Sequence, residues 1–149
     1  MKISTKGRYA LRLMLDIAIH QVGDNPVRIK DIALREGLSN KYLEQIISIM
    51  NKAGYVRSIR GPQGGYLLTR KPSEYTVGMI LRFTEGSMSP VSCLAGDEIL
   101  CDHIDNCVTI RLWKQLDDAI RGVIDHVTLQ DLWDWSAEGF CEEYVVRGE

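Results

Sequence analysis

Directly behind two short helical segments the chain carries a glycine-rich hairpin, and this order of elements restricts the fold more than any other stretch. Tyr55-Val-Arg-Ser-Ile-Arg60 and Tyr66-Leu-Leu-Thr69 read as strands around Gly61-Pro62-Gln63-Gly64-Gly65, whose glycines permit the positive φ values of a hairpin tip. Upstream, Ile29 to Glu36 reads as a short helix with Ile29, Ile32 and Ala33 facing a core, closed by Gly37. Ser39 is a good N-cap for a second helix from Asn40 to Ala53, with Leu43, Ile46, Ile47 and Met50 inward. Its other face carries Asn40, Lys41, Glu44, Gln45, Ser48, Asn51 and Lys52. Two helices joined by a tight turn, the second with a polar face, form the helix-turn-helix that offers its second helix to a major groove, and the hairpin behind it is a wing. Arg57, Arg60, Arg70 and Lys71 on or beside that wing suit phosphate tracking or entry of an arginine into a minor groove. The tip is a poor nucleotide cradle, because it leads into a strand and no Lys-Ser or Lys-Thr follows it.

Charge is divided along the chain in the same sense. The net charge is −2, yet residues 1–71 hold 13 Lys and Arg against 5 Asp and Glu, whereas residues 72–149 hold 5 against 15. A basic half focuses positive potential on a polyanion and an acidic half keeps the rest of the molecule away from it. With 149 residues and 45% apolar content, the chain supplies one proper core. No apolar run reaches membrane-spanning length and the N-terminus lacks a cleavable signal, so a cytoplasmic location is expected. Four cysteines in that compartment favour ligands, sensors or buried apolar residues over a disulfide framework.

Ahead of the helix pair, Tyr9, Ala10, Leu13, Met14, Ile17 and Ala18 recur at helical spacing from Thr5 to about Val22, with Arg8, Arg12, Asp16 and His20 on a narrow polar stripe. His20 reads as a solvated surface residue rather than a ligand. Gly23-Asp24-Asn25-Pro26 ends the helix. Beyond the wing, Thr76 caps a helix of Val77, Ile80, Leu81 and Phe83 that ends at Gly86, and Pro90 opens a polar loop. That loop places Cys93, Cys101 and Cys107 within fifteen residues, where three soft ligands can converge on one metal centre; thiolates suit iron–sulfur clusters and also zinc. Inert free thiols are the bland alternative, and Cys141 near the C-terminus reads as a spare thiol. From Thr109 to His126, Leu112, Trp113, Leu116, Ile120, Val123, Ile124 and Val127 make an apolar stripe longer than a small wing domain needs for itself. Thr128 caps a last short helix with Leu129, Leu132 and Trp133, and an acidic tail runs from Ser136.

Met1-Lys-Ile-Ser-Thr-Lys-Gly-Arg-Tyr-Ala, Tyr42-Leu-Glu-Gln45, Val56-Arg-Ser-Ile-Arg-Gly-Pro-Gln-Gly-Gly-Tyr-Leu-Leu68 and Thr128-Leu-Gln-Asp-Leu132 together resemble the Rrf-two family of bacterial winged-helix regulators. The resemblance runs from residue 1 to about residue 135. It implies a homodimer on an imperfect DNA palindrome, with the helix from Ser39 in the major groove, Arg60 near the minor groove and the stripe after Thr109 as the dimerisation helix. It implies that Glu44 takes part in base discrimination, and that Cys93, Cys101 and Cys107 hold an iron–sulfur cluster as in the family's cluster-binding branches. Two departures stand out. The first gap, Leu94 to Leu100, is longer than in the cluster-binding branch, and Ile110 stands where that branch places a ligating histidine. The fourth ligand is therefore open among His103, Asp102, Asp105 and a residue from the partner subunit's N-terminal helix. Two-iron and four-iron clusters both remain open.

The expected architecture is mainly α, a winged helix-turn-helix with a β-hairpin wing and a long C-terminal dimerisation helix. Residues 1–86 form the DNA-binding domain, 87–108 the cysteine-rich loop, and 109–149 the dimerisation helix, short helix and acidic tail. The expected DNA contacts are Ser39, Asn40, Lys41, Tyr42, Glu44 and Gln45 on the second helix and Arg60, Gly61, Gln63 and Gly64 on the wing. A regulator or repressor of transcription that senses through its thiols follows. The alternative is a cluster-free regulator working by thiol oxidation or through a protein partner such as a metabolic enzyme. A thiol or metal enzyme is disfavoured, because no Cys falls in an evident His and Asp constellation.

Overall fold

The computed structural model describes residues 2–98 and 101–139. In chain order the elements are α1 (Thr5–His20), α2 (Ile29–Glu36), α3 (Asn40–Lys52), β1 (Val56–Ile59), β2 (Gly65–Leu68), α4 (Val77–Glu85), α5 (Ile110–Ile124) and α6 (Leu129–Glu138). Short 3-10 turns at Pro72–Glu74, Ser92–Leu94 and Ile104–Asn106 punctuate the connections. The mainly helical architecture with one antiparallel hairpin is the expected one. Among the described residues no helix is long and apolar enough to cross a membrane.

Helix α1 is the hub, packed against α2, α3, α4, α6 and β2. Ala10, Leu13, Met14 and Ile17 of α1 are fully buried, and so are Ile32 of α2, Leu43, Ile46 and Met50 of α3, Ile80 of α4 and Leu129 of α6. Each such Leu, Ile or Met removed from water contributes about 1.5–3 kcal/mol, which is why these stripes meet in one core. Ser4 caps α1 by accepting from the Gly7 amide at 3.1 Å. The helix stops two residues short of the expected Val22. Gln21 turns extended and its Oε1 accepts from the Leu68 amide at 2.8 Å, while Val22 and Asn25 bridge around Gly23 at φ 57°.

Two expectations about helix faces are corrected. Asp16 is not on a solvated stripe: it is 4% exposed, and Arg35 donates to it twice, Nε to Oδ2 at 2.8 Å and Nη2 to Oδ1 at 2.7 Å. That bond raises the Arg35 guanidinium above its ordinary pKa, and His20 Nδ1 lies 2.9 Å from the Asp16 carbonyl oxygen. Phe83 does not point into the core; it is 51% exposed and leans edge-on against Tyr55, with ring centroids 5.2 Å apart.

The C-terminal elements are tied back to α4. Val77 donates to the Val127 carbonyl at 2.9 Å, Leu129 donates to the Tyr75 carbonyl at 3.0 Å, and Thr76 bridges Thr128. Arg82 Nη2 donates to Asp125 Oδ2 at 2.9 Å in a two-pronged pair, and Asp125 reaches it across Gly78, where any Cβ would collide with the carboxylate. The last helix continues through Glu138, past the expected start of the tail at Ser136. Cys141 and the rest of the tail lie outside the described residues.

Candidate nucleic-acid interface and thiol loop

Gly37, at φ 64°, closes α2 in the left-handed conformation that glycine adopts without strain. Two residues later Ser39 Oγ accepts from the Tyr42 amide at 3.1 Å and starts α3. The inward face of α3 is then fully occupied by core, which leaves Asn40, Lys41, Glu44, Gln45, Ser48, Asn51 and Lys52 exposed together. Tyr42 is only half-exposed: its ring meets Tyr9 of α1 edge-to-face at 6.0 Å, and Arg12 lies over Tyr9 at 5.4 Å, so α1 braces the start of α3.

The wing follows in tight register, Val56 opposite Leu68 and Ile59 opposite Gly65. Gly61 sits at φ 109°, and a Cβ on Gly64 would strike the Ile59 carbonyl oxygen. Gly65 is needed for a different reason, because the backbone of Val27 packs where its Cβ would be. Val27 and Tyr66 exchange two backbone bonds of 2.9 Å, so the segment before α2 lies along the wing. From the next residue, Arg28 Nη2 reaches the wing tip and donates to Gln63 Oε1 at 2.7 Å and to the Pro62 carbonyl at 3.2 Å. At the wing's base, fully buried Tyr75 donates its hydroxyl proton to the Tyr55 carbonyl at 2.7 Å and accepts from the Thr69 and Arg70 amides at 3.0 and 2.9 Å. Arg70 lies over the Tyr55 ring at 5.7 Å, and burial pushes the Tyr55 phenol pKa up.

Of the residues expected to meet DNA, Ser39, Asn40, Lys41, Glu44 and Gln45 are exposed around the first turns of α3, and Arg60, Gly61 and Gln63 are exposed at the wing tip. Gly64 is half-buried and shapes the turn. The sequence reading missed Arg28 and Tyr75. The extended Pro26-Val27 pair before α2 was the available signal for the first, whereas the second is a buried tyrosine whose polar partners come from distant strand ends.

The expected metal ligands are less gathered. Cys93 lies in the Ser92–Leu94 turn, the Cys101 carbonyl accepts from the Ile104 amide at 3.2 Å, and Cys107 precedes α5 with its Sγ 3.4 Å from Thr109 Oγ1. All three are half-buried free thiols. Asp102, His103 and Asp105 are exposed around the Ile104–Asn106 turn. Among the described residues no three His, Cys, Asp or Glu side chains converge on a common point. The donor set therefore fits a thiolate-bound centre in kind, while the loop conformation does not bring it together. Around the loop, Leu94 and Met88 are each 8% exposed, Ser89 Oγ donates to the Leu94 carbonyl at 2.8 Å, and the Ser92–Leu94 turn packs on α5. Helix α5 itself carries Leu112, Leu116 and Val123 at 55%, 41% and 60% exposure, and the residue it buries is Asp117.

The family model for Rrf2, iron-dependent transcriptional regulators, matches residues 3–134. The chain is 40% identical over 132 residues to the HTH-type transcriptional regulator IscR of Pectobacterium atrosepticum, covering 89% of this chain and 79% of that one. It is 41% identical over 145 residues to the HTH-type transcriptional regulator CymR of Bacillus subtilis, covering 97% and 98%. Among solved structures, CymR, the global cysteine regulator of B. subtilis, superposes with a TM-score of 0.76 at 41% identity over 91% of this chain and 98% of that one. The IscR of T. potens gives 0.72 at 38% identity over 99% and 94%. These relatives are regulators and not enzymes, and the chain belongs to the Rrf2 family of transcriptional regulators.

Proposed function

We propose that the protein acts as a homodimer on a palindromic operator in the cytoplasm and senses through an iron–sulfur cluster held by Cys93, Cys101 and Cys107. The observation that carries the reading is the position of three unbridged thiols on one loop between the winged part and α5. In the DNA-bound dimer, the exposed face from Ser39 to Gln45 lies in the major groove and Arg60 approaches the minor groove. Two copies meet through the exposed Leu112, Leu116 and Val123 of α5, which gives the two-fold that a palindrome requires. Bound there, the cluster supplies a ligation state that responds to iron, oxidants or nitric oxide. The chain's own part is mechanical: a rearranged cysteine loop pulls on buried Leu94 and Met88 and on the start of α5, and so alters how two copies sit relative to each other. Asp102, His103 and Asp105 are the local candidates for a fourth ligand.

A second reading is favoured by the separated thiols and by the likeness to CymR: a cluster-free regulator controlled by thiol oxidation or by a partner enzyme. Anaerobic purification followed by absorption spectroscopy and iron and sulfide analysis separates the two. Brown protein whose visible bands vanish in Cys93→Ala, Cys101→Ala and Cys107→Ala is expected. Colourless protein with all four cysteines titrating as free thiols and no metal overturns the cluster and leaves the second reading.

A further inference from the structure

Arg28 lies outside the helix-turn-helix turn and outside the wing, yet its guanidinium holds the wing tip at two points, Gln63 Oε1 and the Pro62 carbonyl. Arginine has donors only, so the atom of the Gln63 carboxamide that faces it must be the oxygen. The amide NH2 is then turned away from Arg28, on a residue that is itself exposed at the tip. The anchorage extends below, where Val27 is bonded twice to Tyr66 and its backbone occupies the space beside Gly65. Arg28 thus links the start of α2 to the tip across 35 residues of chain, fixing both the height of the wing and the orientation of one amide.

We infer that Arg28 is a positioning residue for base reading, and that Gln63, oriented by it, selects A·T over G·C pairs in the minor groove under the wing. This rests on the DNA-bound arrangement proposed above. In the minor groove A·T and T·A pairs offer only acceptors, adenine N3 and thymine O2, whereas G·C adds the guanine N2 donor. An outward NH2 pairs with the former and opposes the latter. Without Arg28 the amide rotates freely and presents either end.

Selection from a pool of duplexes with randomised bases, followed by sequencing, tests this on the full-length protein. Wild type is expected to enrich A·T at the pairs flanking the α3-read bases by about fivefold, the low end of what one mismatched pair costs. Gln63→Ala and Arg28→Ala both erase that flank preference. Gln63→Glu keeps an acceptor for Arg28 but loses the donor, and shifts the flank towards G·C. Undiminished A·T enrichment in Arg28→Ala and Gln63→Glu overturns the inference. A wild-type motif with neutral flanks overturns it too while leaving the DNA-bound arrangement intact, and a wild type that enriches no sequence overturns both.

Discussion

Helices α3 and α5 are both strongly amphipathic and of similar length, 13 and 15 residues, but they dispose of their apolar stripes in opposite ways. Leu43, Ile46, Ile47 and Met50 of α3 are at most 2% exposed, and its polar face is left for a ligand. In α5 the apolar residues Leu112, Leu116 and Val123 face outward while Asp117 is buried, 2.7 Å from Arg121 Nε. Amphipathicity fixes that a helix needs a partner for one face; it does not fix whether the partner lies in the same chain. In α3 the unspent surface is polar and basic residues flank it, while in α5 it is apolar and the surrounding chain is acidic.

The largest expected difference comes from truncating each stripe. Ile46→Ala should cost about 2–5 kcal/mol in urea unfolding, through lost transfer energy and a cavity. Leu116→Ala at low protein concentration should change the same unfolding free energy by about 0.5 kcal/mol or less, yet weaken self-association in sedimentation equilibrium. Equal unfolding costs for the two variants would erase the distinction drawn here. A smaller effect is expected at the wing's base. Tyr75→Phe takes the buried partner from the Arg70 amide, while the Thr69 amide and the Tyr55 carbonyl keep their own 3.2 Å bond, and should cost about 1–3 kcal/mol, with faster hydrogen exchange at Arg70. The smallest concerns the joint between the two parts. The Arg82 guanidinium holds the Asp125 carboxyl below its ordinary pKa, so the pair's stabilisation is present above the unfolded value of about 3.9 and is lost as pH falls through the lower folded value. Both side chains are about a third exposed, and screening limits the pair to about 1 kcal/mol or less. Asp125→Asn should flatten the acid limb of a thermal-melt series by that amount; an unchanged slope would show that the joint is held by Val77 and Leu129 alone.

Local signals made much of this legible. Gly37, Ser39, Thr76, Gly86 and Thr128 mark helix ends because each carries its effect within four residues, and the inward sets of α1, α3 and α4 follow from 3.6-residue spacing except at Phe83. Asp16 was misread because its partner Arg35 comes 19 residues later; a carboxylate four residues from an arginine and a histidine looks like part of a wet stripe until α2 folds over it. Arg28 and Tyr75 escaped for the same reason, their bonds spanning 35 and 20 residues. In the thiol loop, spacing showed that three sulfurs are near one another along the chain, which is a weaker statement than proximity in space.

The strand-like contact of Val27 has a consequence for how copies of the protein tolerate crowding. A two-stranded hairpin on a protein surface offers open edges that another chain's strand can extend into an aggregate. On β2 that edge is already capped at Tyr66 by two bonds from within the same chain. Gly65 lets the capping segment lie close enough to act, so replacing it with alanine should expose an edge that seeds sheet-to-sheet association, seen as light scattering during mild heating.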